Sequence, residues 1–389
     1  MIKVLILVAT YLFSMNAMSD GLLRTTNLKS YCGQYDRQTV IYLDQGIISK
    51  KDPNWFKDIL NKLKFLPGEQ VQVVTINHGG SVVEEAWSGC YPALTEERYQ
   101  KEKAQEGFTS LVTGGVDDKL KNDQKMFSKW LKQGLAAPLA RTQHSDVPRY
   151  TESSFPIKKL VEALYYDAPR LDLKNGISRV ILFSDMVEKS ELVGDYSNSA
   201  EDTAKKVKKR YPAFFNHADF FVYGIKYTND DSRINSWLEE FWRTYLGNSG
   251  AYIKSYSTQL VVPKAISSLK VHSYSGMITG KDGDKYSVQL RLGYDQSGLL
   301  AHSVYALDNE GYYLPLRGDF KCKGNNCVLT SVIESSNTEF FEKGYVLELK
   351  GSNKELSGIV GSKDPNVVDD RGNIYRYNVS LKLDSSLKL

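Results

Sequence analysis

The sequence predicts two domains of different class: a doubly wound α/β sheet, followed by an antiparallel all-β sandwich or barrel. In residues 38–262, short apolar stretches of strand length alternate with stretches of helical periodicity. In residues 269–389 helical periodicity is almost absent, and alternating stretches are separated by Gly, Asp or Asn. Because this change falls near Pro263, we place the α/β domain at residues 20–262 and the β domain at residues 268–389.

The α/β part begins with a buried strand and continues as alternating strands and helices. The predicted strands cover residues 39–43, 71–76, 81–87, 178–184, 218–225 and 251–256. The predicted helices begin at Asp52-Pro53 and near Pro156, and cover 119–131, 200–210 and 232–246. The second and third strands form a hairpin, whereas the other strands are mostly parallel with helices on both faces. The charged, helix-prone residues 96–150 form a helical insertion.

The β part contains roughly eight strand-like stretches with connections of hairpin length, which is typical of an antiparallel sandwich or barrel. Five glycines are expected at or near strand edges, where a positive φ or a bulge occurs. They are Gly298, Gly311, Gly318, Gly344 and Gly358.

Composition limits the classes of function. The chain has 389 residues, 50 Lys+Arg against 46 Asp+Glu, 41% apolar residues and 25% charged residues. These values are typical of a globular protein and exclude a disordered, collagen-like or multi-spanning membrane chain. Because the formal net charge is only +4, we expect no nucleic-acid partner.

The N-terminus indicates export. Lys3 precedes a largely apolar stretch at residues 4–13, and small residues follow. This layout is typical of a secretory signal peptide, and the stretch is about half the length that spans a bilayer. We expect a signal peptide at residues 1–19, with cleavage after Ser19 (Ala17 is the alternative), and a periplasmic or secreted chain without an integral membrane segment. The alternative interpretation is a buried N-terminal strand or helix.

The four cysteines agree with an oxidising compartment. Cys322 and Cys327 flank a turn sequence that can fold back, which favours their pairing and leaves Cys32 with Cys90. A zinc site is the weaker alternative, because the spacing does not form paired CxxC units.

Four segments of the α/β part resemble the von Willebrand factor A-type (vWA-like) domain. They are the strand end at 39–44, the hairpin at 71–87, the helix start at 153–164 and the strand end at 180–185. The resemblance implies a Rossmann-like, doubly wound sheet. It also implies a metal-ion-dependent adhesion site. In such a site, carboxylate and hydroxyl oxygens hold a divalent cation, and an acidic group of the partner completes the coordination of that cation.

This implied site is degenerate. Asp44 matches the first Asp of the family pattern, and Asp185 matches the last. Gly46 and Ile48 stand at the two Ser positions and supply no side-chain oxygen. The resemblance therefore implies either no cofactor or a reduced site for Mg²⁺ or Ca²⁺ at Asp44 and Asp185. The alternative is that both carboxylates cap strand ends and helix N-termini.

The remaining positions of the site are less well determined. The Thr of the family pattern falls at Ser153, Ser154 or Phe155, so this segment supplies a hydroxyl only if the position is one of the two serines. Gln45 or Ser49 are candidates to replace the missing Ser oxygens.

The predicted function is an exported, non-enzymatic module that binds a protein partner in a bacterial envelope assembly for secretion, conjugative transfer or adhesion. The partner-binding face would contain the residues just named, at the carboxyl ends of the strands. They are Asp44, Gln45, Ser49, Ser153, Ser154 and Asp185. One alternative is a periplasmic hydrolase with a repurposed site. Another is a small-ligand or lipid carrier, because segments 274–276, 312–318 and 349–361 loosely resemble small β-barrel or lipocalin-like modules.

Overall fold

A computed structural model describes residues 28–33, 37–48, 54–77, 82–107, 115–141, 158–173, 176–194, 196–225, 231–263 and, with interruptions, 270–384. The predicted signal peptide lies outside the described residues, as do Ser49, Ser153 and Ser154. The described residues form an α/β sheet and a separate β-barrel.

The α/β sheet confirms the predicted fold class. Its strands are β1 (Arg37–Asp44), β2 (Gln70–Ile76), β3 (Val83–Cys90), β4 (Ile177–Phe183), β5 (Asp219–Tyr223) and β6 (Tyr252–Ser257). The helices are α1 (Asn54–Lys62), α2 (Glu96–Ala104), α3 (Val116–Arg141), α4 (Leu160–Asp167), α5 (Ala200–Arg210) and α6 (Ser232–Asn248). The strand order is β3-β2-β1-β4-β5-β6, and each neighbouring pair is parallel except β2 with β3.

Strand β1 lies between β2 and β4 at the centre of the sheet. Leu43 is in register with Thr75 of β2 and with Phe183 of β4. The three strands therefore end at the same edge, which we call the carboxyl-end edge. Strands β2 and β3 lie to one side of β1 and strands β4, β5 and β6 to the other, so the pair β1 and β4 forms the switch point of the topology.

Both faces of the sheet are buried, as expected for parallel strands covered by helices. Val40 and Tyr42 of β1 belong to the apolar core shared with α4, α5 and α6. Ile41 and Leu43 belong to the core on the other face, which includes residues of α1 and α3. Successive side chains of the strand thus serve opposite cores.

The described part of the predicted helical insertion covers one face of the sheet beside β3. Helix α3 has 26 residues and buries Phe127, Leu131 and Leu135. At Gly134 an added Cβ would lie 2.6 Å from the Cβ of Trp87, so the small residue permits close contact between helix and strand. No helix of the described residues combines the length and the apolar character that crossing a membrane requires.

A buried ionic cluster joins the amino ends of the three central strands. The carboxylate of Glu69 is fully buried and accepts hydrogen bonds from Arg37, Arg179 and the hydroxyl of Thr39. Burial alone would raise the pKa of Glu69, but the two guanidinium groups outweigh it and the pKa is lowered. Glu69 is therefore an ionised carboxylate held between two cations.

The β domain is a closed barrel, which decides between the two predicted architectures. Its strands are β7 (Lys270–Thr279), β8 (Lys285–Tyr294), β9 (Ser303–Leu307), β10 (Tyr312–Lys323), β11 (Asn326–Ile333), β12 (Tyr345–Gly351), β13 (Glu355–Ser362) and β14 (Arg376–Leu383). Consecutive strands pair antiparallel, and β14 pairs with β7. This is the up-and-down arrangement, in which closure leaves no free sheet edge.

Apolar side chains and glycines shape the barrel. Tyr274, Leu290 and Phe320 belong to a continuous buried cluster inside it. Gly318 and Gly358 lie within strands β10 and β13 rather than at strand edges. An added Cβ there would lie 2.1 Å and 2.0 Å from a carbonyl oxygen of the neighbouring strand. Glycine at these positions therefore permits the close strand approach that a small barrel requires.

The barrel contacts the amino-end edge of the sheet. The guanidinium of Arg317 lies 4.7 Å from the ring centre of Tyr252 and 3.5 Å from a carboxylate oxygen of Asp219. Val304 of β9 packs in a small apolar cluster with Ile177. Tyr252, Asp219 and Ile177 are the first residues of β6, β5 and β4. The barrel is therefore at the opposite end of the sheet from the carboxyl-end edge.

Two disulfides are present, in the predicted pairs. Cys32 is bonded to Cys90 across 58 residues, and Cys322 to Cys327 across five. The first bond ties the segment around Tyr31 to the end of β3. The buried Tyr31 also donates a 2.6 Å hydrogen bond to Asp123 of α3.

The two disulfides should contribute unequally to stability. In the chain-entropy model, the closed loops of 58 and five residues are worth about 4 and about 2 kcal/mol. We expect Cys32→Ser with Cys90→Ser to lower the free energy of unfolding by roughly twice as much as Cys322→Ser with Cys327→Ser. Denaturant unfolding of the α/β domain and the barrel, followed separately by fluorescence and circular dichroism, would test this. Equal losses would contradict it.

Candidate functional site

Asp44 ends β1 and is held by the turn that follows. Its Oδ1 accepts a 2.9 Å hydrogen bond from the backbone N–H of Gly46. Its Oδ2 accepts a 2.7 Å hydrogen bond from the hydroxyl of Ser184. Only 3% of Asp44 is exposed, so these bonds replace the water that a free carboxylate would bind.

The loop after β4 has a similar construction. Asp185 Oδ1 accepts a 3.0 Å hydrogen bond from the N–H of Val187, and the Ser184 hydroxyl accepts one of 3.0 Å from the N–H of Met186. Met186 is fully buried with a φ of 59°, which is unfavourable for a residue with a side chain. The indole N–H of Trp242 donates a 2.7 Å hydrogen bond to the Met186 carbonyl. Helix α6 thus helps to hold the loop in this conformation.

The ammonium group of Lys158 joins the two aspartates. Lys158 Nζ contacts both Asp44 Oδ2 and Asp185 Oδ1. The side chain of Lys158 is 17% exposed, and those of the aspartates are 4% and 5% exposed. The Lys158 backbone forms two hydrogen bonds, of 3.0 and 2.8 Å, with the backbone of Lys189. Lys158 is therefore fixed both through its main chain and through its charge. We call Asp44, Lys158 and Asp185 the ionic triad.

The triad keeps Lys158 charged. Burial alone would lower the pKa of Lys158, but the carboxylates of Asp44 and Asp185 outweigh it, so the pKa is raised. A buried charge without a partner is far more unfavourable than a paired one. Removing either partner would therefore leave an uncompensated charge at the edge of the sheet.

Glu188 is a second buried carboxyl group near the triad. Its Oε2 accepts a 2.9 Å hydrogen bond from the N–H of Val161 in the first turn of α4. Its Oε1 is buried and has no hydrogen-bond partner among the described residues. Burial raises the pKa of Glu188 to about 7, although the Ser190 hydroxyl, the Val161 amide and the charge of Lys158 act in the opposite direction.

The structure brings some of the sequence-predicted residues together. Asp44 and Asp185 meet at one ammonium group, and Gln45 is half-buried in the turn beside them. The backbone N–H of Gln45 donates a 3.0 Å hydrogen bond to Ile76 at the end of β2. Ser184 and Lys158 were not predicted. The available signal for Lys158 was a basic residue shortly after positions 153–155, where the resemblance places the hydroxyl ligand of the family pattern.

The described residues do not form an obvious metal centre. Lys158 already neutralises part of the charge of both aspartates at the position where a cation would bind them. Among the residues that the structure describes, no group of three His, Cys, Asp or Glu side chains is arranged to hold a metal ion. With Lys158 in place, this set of groups fits an internal ion pair rather than a divalent cation.

Comparisons with known proteins give no family for this chain. No family model matches the sequence. No curated protein matches it either.

Substituting Glu188 should change how stability depends on pH. The pKa of Glu188 is about 7 in the folded protein against an ordinary 4.5, so the folded state retains a proton that the unfolded chain loses. Between these values the wild-type protein loses stability as pH rises. We expect Glu188→Gln to remove this loss. The unfolding free energy of the variant minus that of the wild type should then increase by up to about 3 kcal/mol between pH 4.5 and pH 7.5.

The matched control is Glu191→Gln, since the side chain of Glu191 is 75% exposed. Urea unfolding of both variants and the wild type at several pH values gives the comparison. The difference between Glu191→Gln and wild type should stay constant with pH. A constant difference for Glu188→Gln as well would show that Glu188 is not the responsible group.

Proposed function

We propose that the chain is an exported, non-enzymatic interaction module that binds a protein partner through the carboxyl-end edge of its α/β sheet. The observation that carries this proposal is the ionic triad at the switch point between β1 and β4. Open α/β sheets bind their ligands outside the carboxyl ends of the strands at such a point. The triad gives this edge a fixed arrangement of charge.

The sheet topology supports the vWA-like interpretation within this proposal. A parallel sheet with the order β3-β2-β1-β4-β5-β6 and one antiparallel edge pair agrees with the hairpin and strand ends on which the resemblance rests. Asp44 and Asp185, the two positions that match the family pattern, lie together. In the proposed function the partner binds at the location of the family's adhesion site, although the site is degenerate in this chain.

The position of the barrel favours the same face. Its contacts with the sheet, through Arg317 and Val304, involve the amino ends of β4, β5 and β6. At the opposite edge, Gly46 and Lys189 beside the triad are exposed to solvent. A partner can therefore approach the carboxyl-end edge without displacing the barrel.

The bonding of the triad favours binding over catalysis. Each aspartate contacts the ammonium group of Lys158, and the hydroxyl of Ser184 donates to Asp44. Among the described residues, the hydroxyl of Ser184 has only Asp44 as its acceptor, and that carboxylate is already paired with an ammonium group, so no activated nucleophile is formed there. The apolar cluster inside the barrel likewise favours a structural role over a carrier role, because Tyr274, Leu290 and Phe320 are buried in the interior where an eight-stranded carrier would hold its ligand.

The proposed location is the bacterial periplasm or the cell exterior. Two disulfides support an oxidising compartment, and the predicted signal peptide supports export. Within the envelope, an assembly for secretion, conjugative transfer or adhesion is the proposed setting.

Affinity capture with charge-neutral variants would test the proposed face. The mature protein is immobilised and exposed to an extract of the source cell's envelope, beside Asp44→Asn and Asp185→Asn variants. Each substitution removes one charge that fixes Lys158. We expect recovery of the partner to fall at least about tenfold, which corresponds to about 1.4 kcal/mol of binding free energy.

The matched control is Asp319→Asn, which removes an exposed carboxylate from the barrel. Circular dichroism spectra and melting curves must first show that all variants are folded. The control should recover the partner as well as the wild type does. Unchanged recovery by folded Asp44→Asn and Asp185→Asn proteins would refute the proposed face.

A further inference from the structure

We propose that Lys158 is the permanent cation of this site: its ammonium group occupies the position between Asp44 and Asp185 where a divalent ion would otherwise bind. The carboxyl-end edge is therefore assembled without metal. This inference concerns the site itself and holds whether or not a protein partner binds there.

The geometry supports a built-in cation. One nitrogen atom contacts an oxygen of each aspartate, one at the end of β1 and the other in the loop after the neighbouring strand β4. Lys158 reaches them from the segment before α4, where the resemblance implied a hydroxyl ligand for a metal. Its backbone is paired with Lys189, so the origin of the side chain is fixed beside the loop that carries Asp185.

Charge explains why such a cation is needed. Two carboxylates that converge at a buried edge repel each other, and an opposite charge at short distance offsets this repulsion. A tethered ammonium supplies that charge at any concentration of metal. A divalent ion would first have to displace Lys158 from two ion pairs, and it would then lie close to the displaced positive charge.

The same set of atoms predicts what removal of Lys158 would produce. The carboxylates of Asp44 and Asp185 would remain around a space the size of an ammonium group, and the hydroxyl of Ser184 would remain bonded to Asp44. These are hard oxygen ligands, which Mg²⁺ and Mn²⁺ prefer, and water can complete their coordination. Lys158→Ser removes the ammonium group and opens its space to water, so it should convert the internal ion pair into a divalent-cation site.

Thermal unfolding with and without the metal tests this conversion. We expect millimolar Mg²⁺ or Mn²⁺ to raise the Tm of Lys158→Ser by several degrees, because a ligand that binds only the folded state stabilises it. The Tm of the wild type should change neither with these ions nor with a chelator. The matched control is Lys159→Ser, the neighbouring lysine, whose side chain is 40% exposed and pairs with Glu162. This control should behave as the wild type does.

Two results would overturn the proposal. One is a metal-dependent rise in the Tm of the wild type that Asp185→Asn abolishes, because the natural site would then bind a metal. The other is a folded Lys158→Ser protein that binds neither ion in calorimetric titration. The space that the ammonium group leaves between Asp44 and Asp185 would then not be one that a divalent ion can occupy.

Amine labelling of the wild type gives an answer even if the Lys158 variant does not fold. An acetylating reagent modifies neutral, accessible amines, so Lys158 should react at least about tenfold more slowly than Lys159. Peptide mass spectrometry measures both rates in the same sample. The rate at Lys158 should stay the same when Mg²⁺ is added. Faster labelling of Lys158 in the presence of Mg²⁺ would show that the metal displaces it and would contradict the proposal.

Discussion

The parallel pairing of β1 with β4 is the constraint on which the rest of the site depends. Because these strands run side by side in register, Asp44 and Asp185 emerge at the same edge of the sheet. Two carboxylates that are nearly buried repel each other, and an opposite charge between them offsets this repulsion. The chain supplies this charge through Lys158, whose position in turn fixes the segment that leads into α4. The topology of the sheet thus determines the electrostatics of the edge.

At both ends of the central strands, a buried charge lies between two groups of opposite charge, but the signs are reversed from one end to the other. At the amino ends, one carboxylate, Glu69, lies between Arg37 and Arg179. At the carboxyl ends, one ammonium group lies between two carboxylates. The first cluster ties β1, β2 and β4 together. The second is nearly buried as well, and it ties the turn after β1 and the loop after β4 to the segment before α4.

How much the sequence could predict follows from how each feature is encoded. Asp44 and Asp185 were predictable because apolar strands followed by Asp place carboxylates at one sheet edge. Lys158 was not, because a long side chain that reaches across a loop leaves no periodic pattern. The barrel was ambiguous for a related reason: alternating strands suit a sandwich or a barrel, and closure depends on the pairing of β14 with β7, which are distant in sequence. The glycines within β10 and β13 permit neighbouring strands to approach closely, but their presence in the sequence does not show which strands are neighbours.

A tethered cation also changes what the edge can offer a partner. A divalent ion between two aspartates would give a formal charge of zero and an open coordination position. The ionic triad has a formal charge of −1, from two carboxylates and one ammonium group, and the ammonium has no coordination position to offer. It provides three N–H donors, and the aspartates engage two of them. If a partner binds this edge as proposed, the affinity must therefore come from hydrogen bonds and shape complementarity. In a complete adhesion site, coordination of the metal by the partner supplies part of that affinity. Affinity would then depend on the order of the surrounding loops, which the contacts of Trp242 with Met186 and of Lys158 with Lys189 help to maintain.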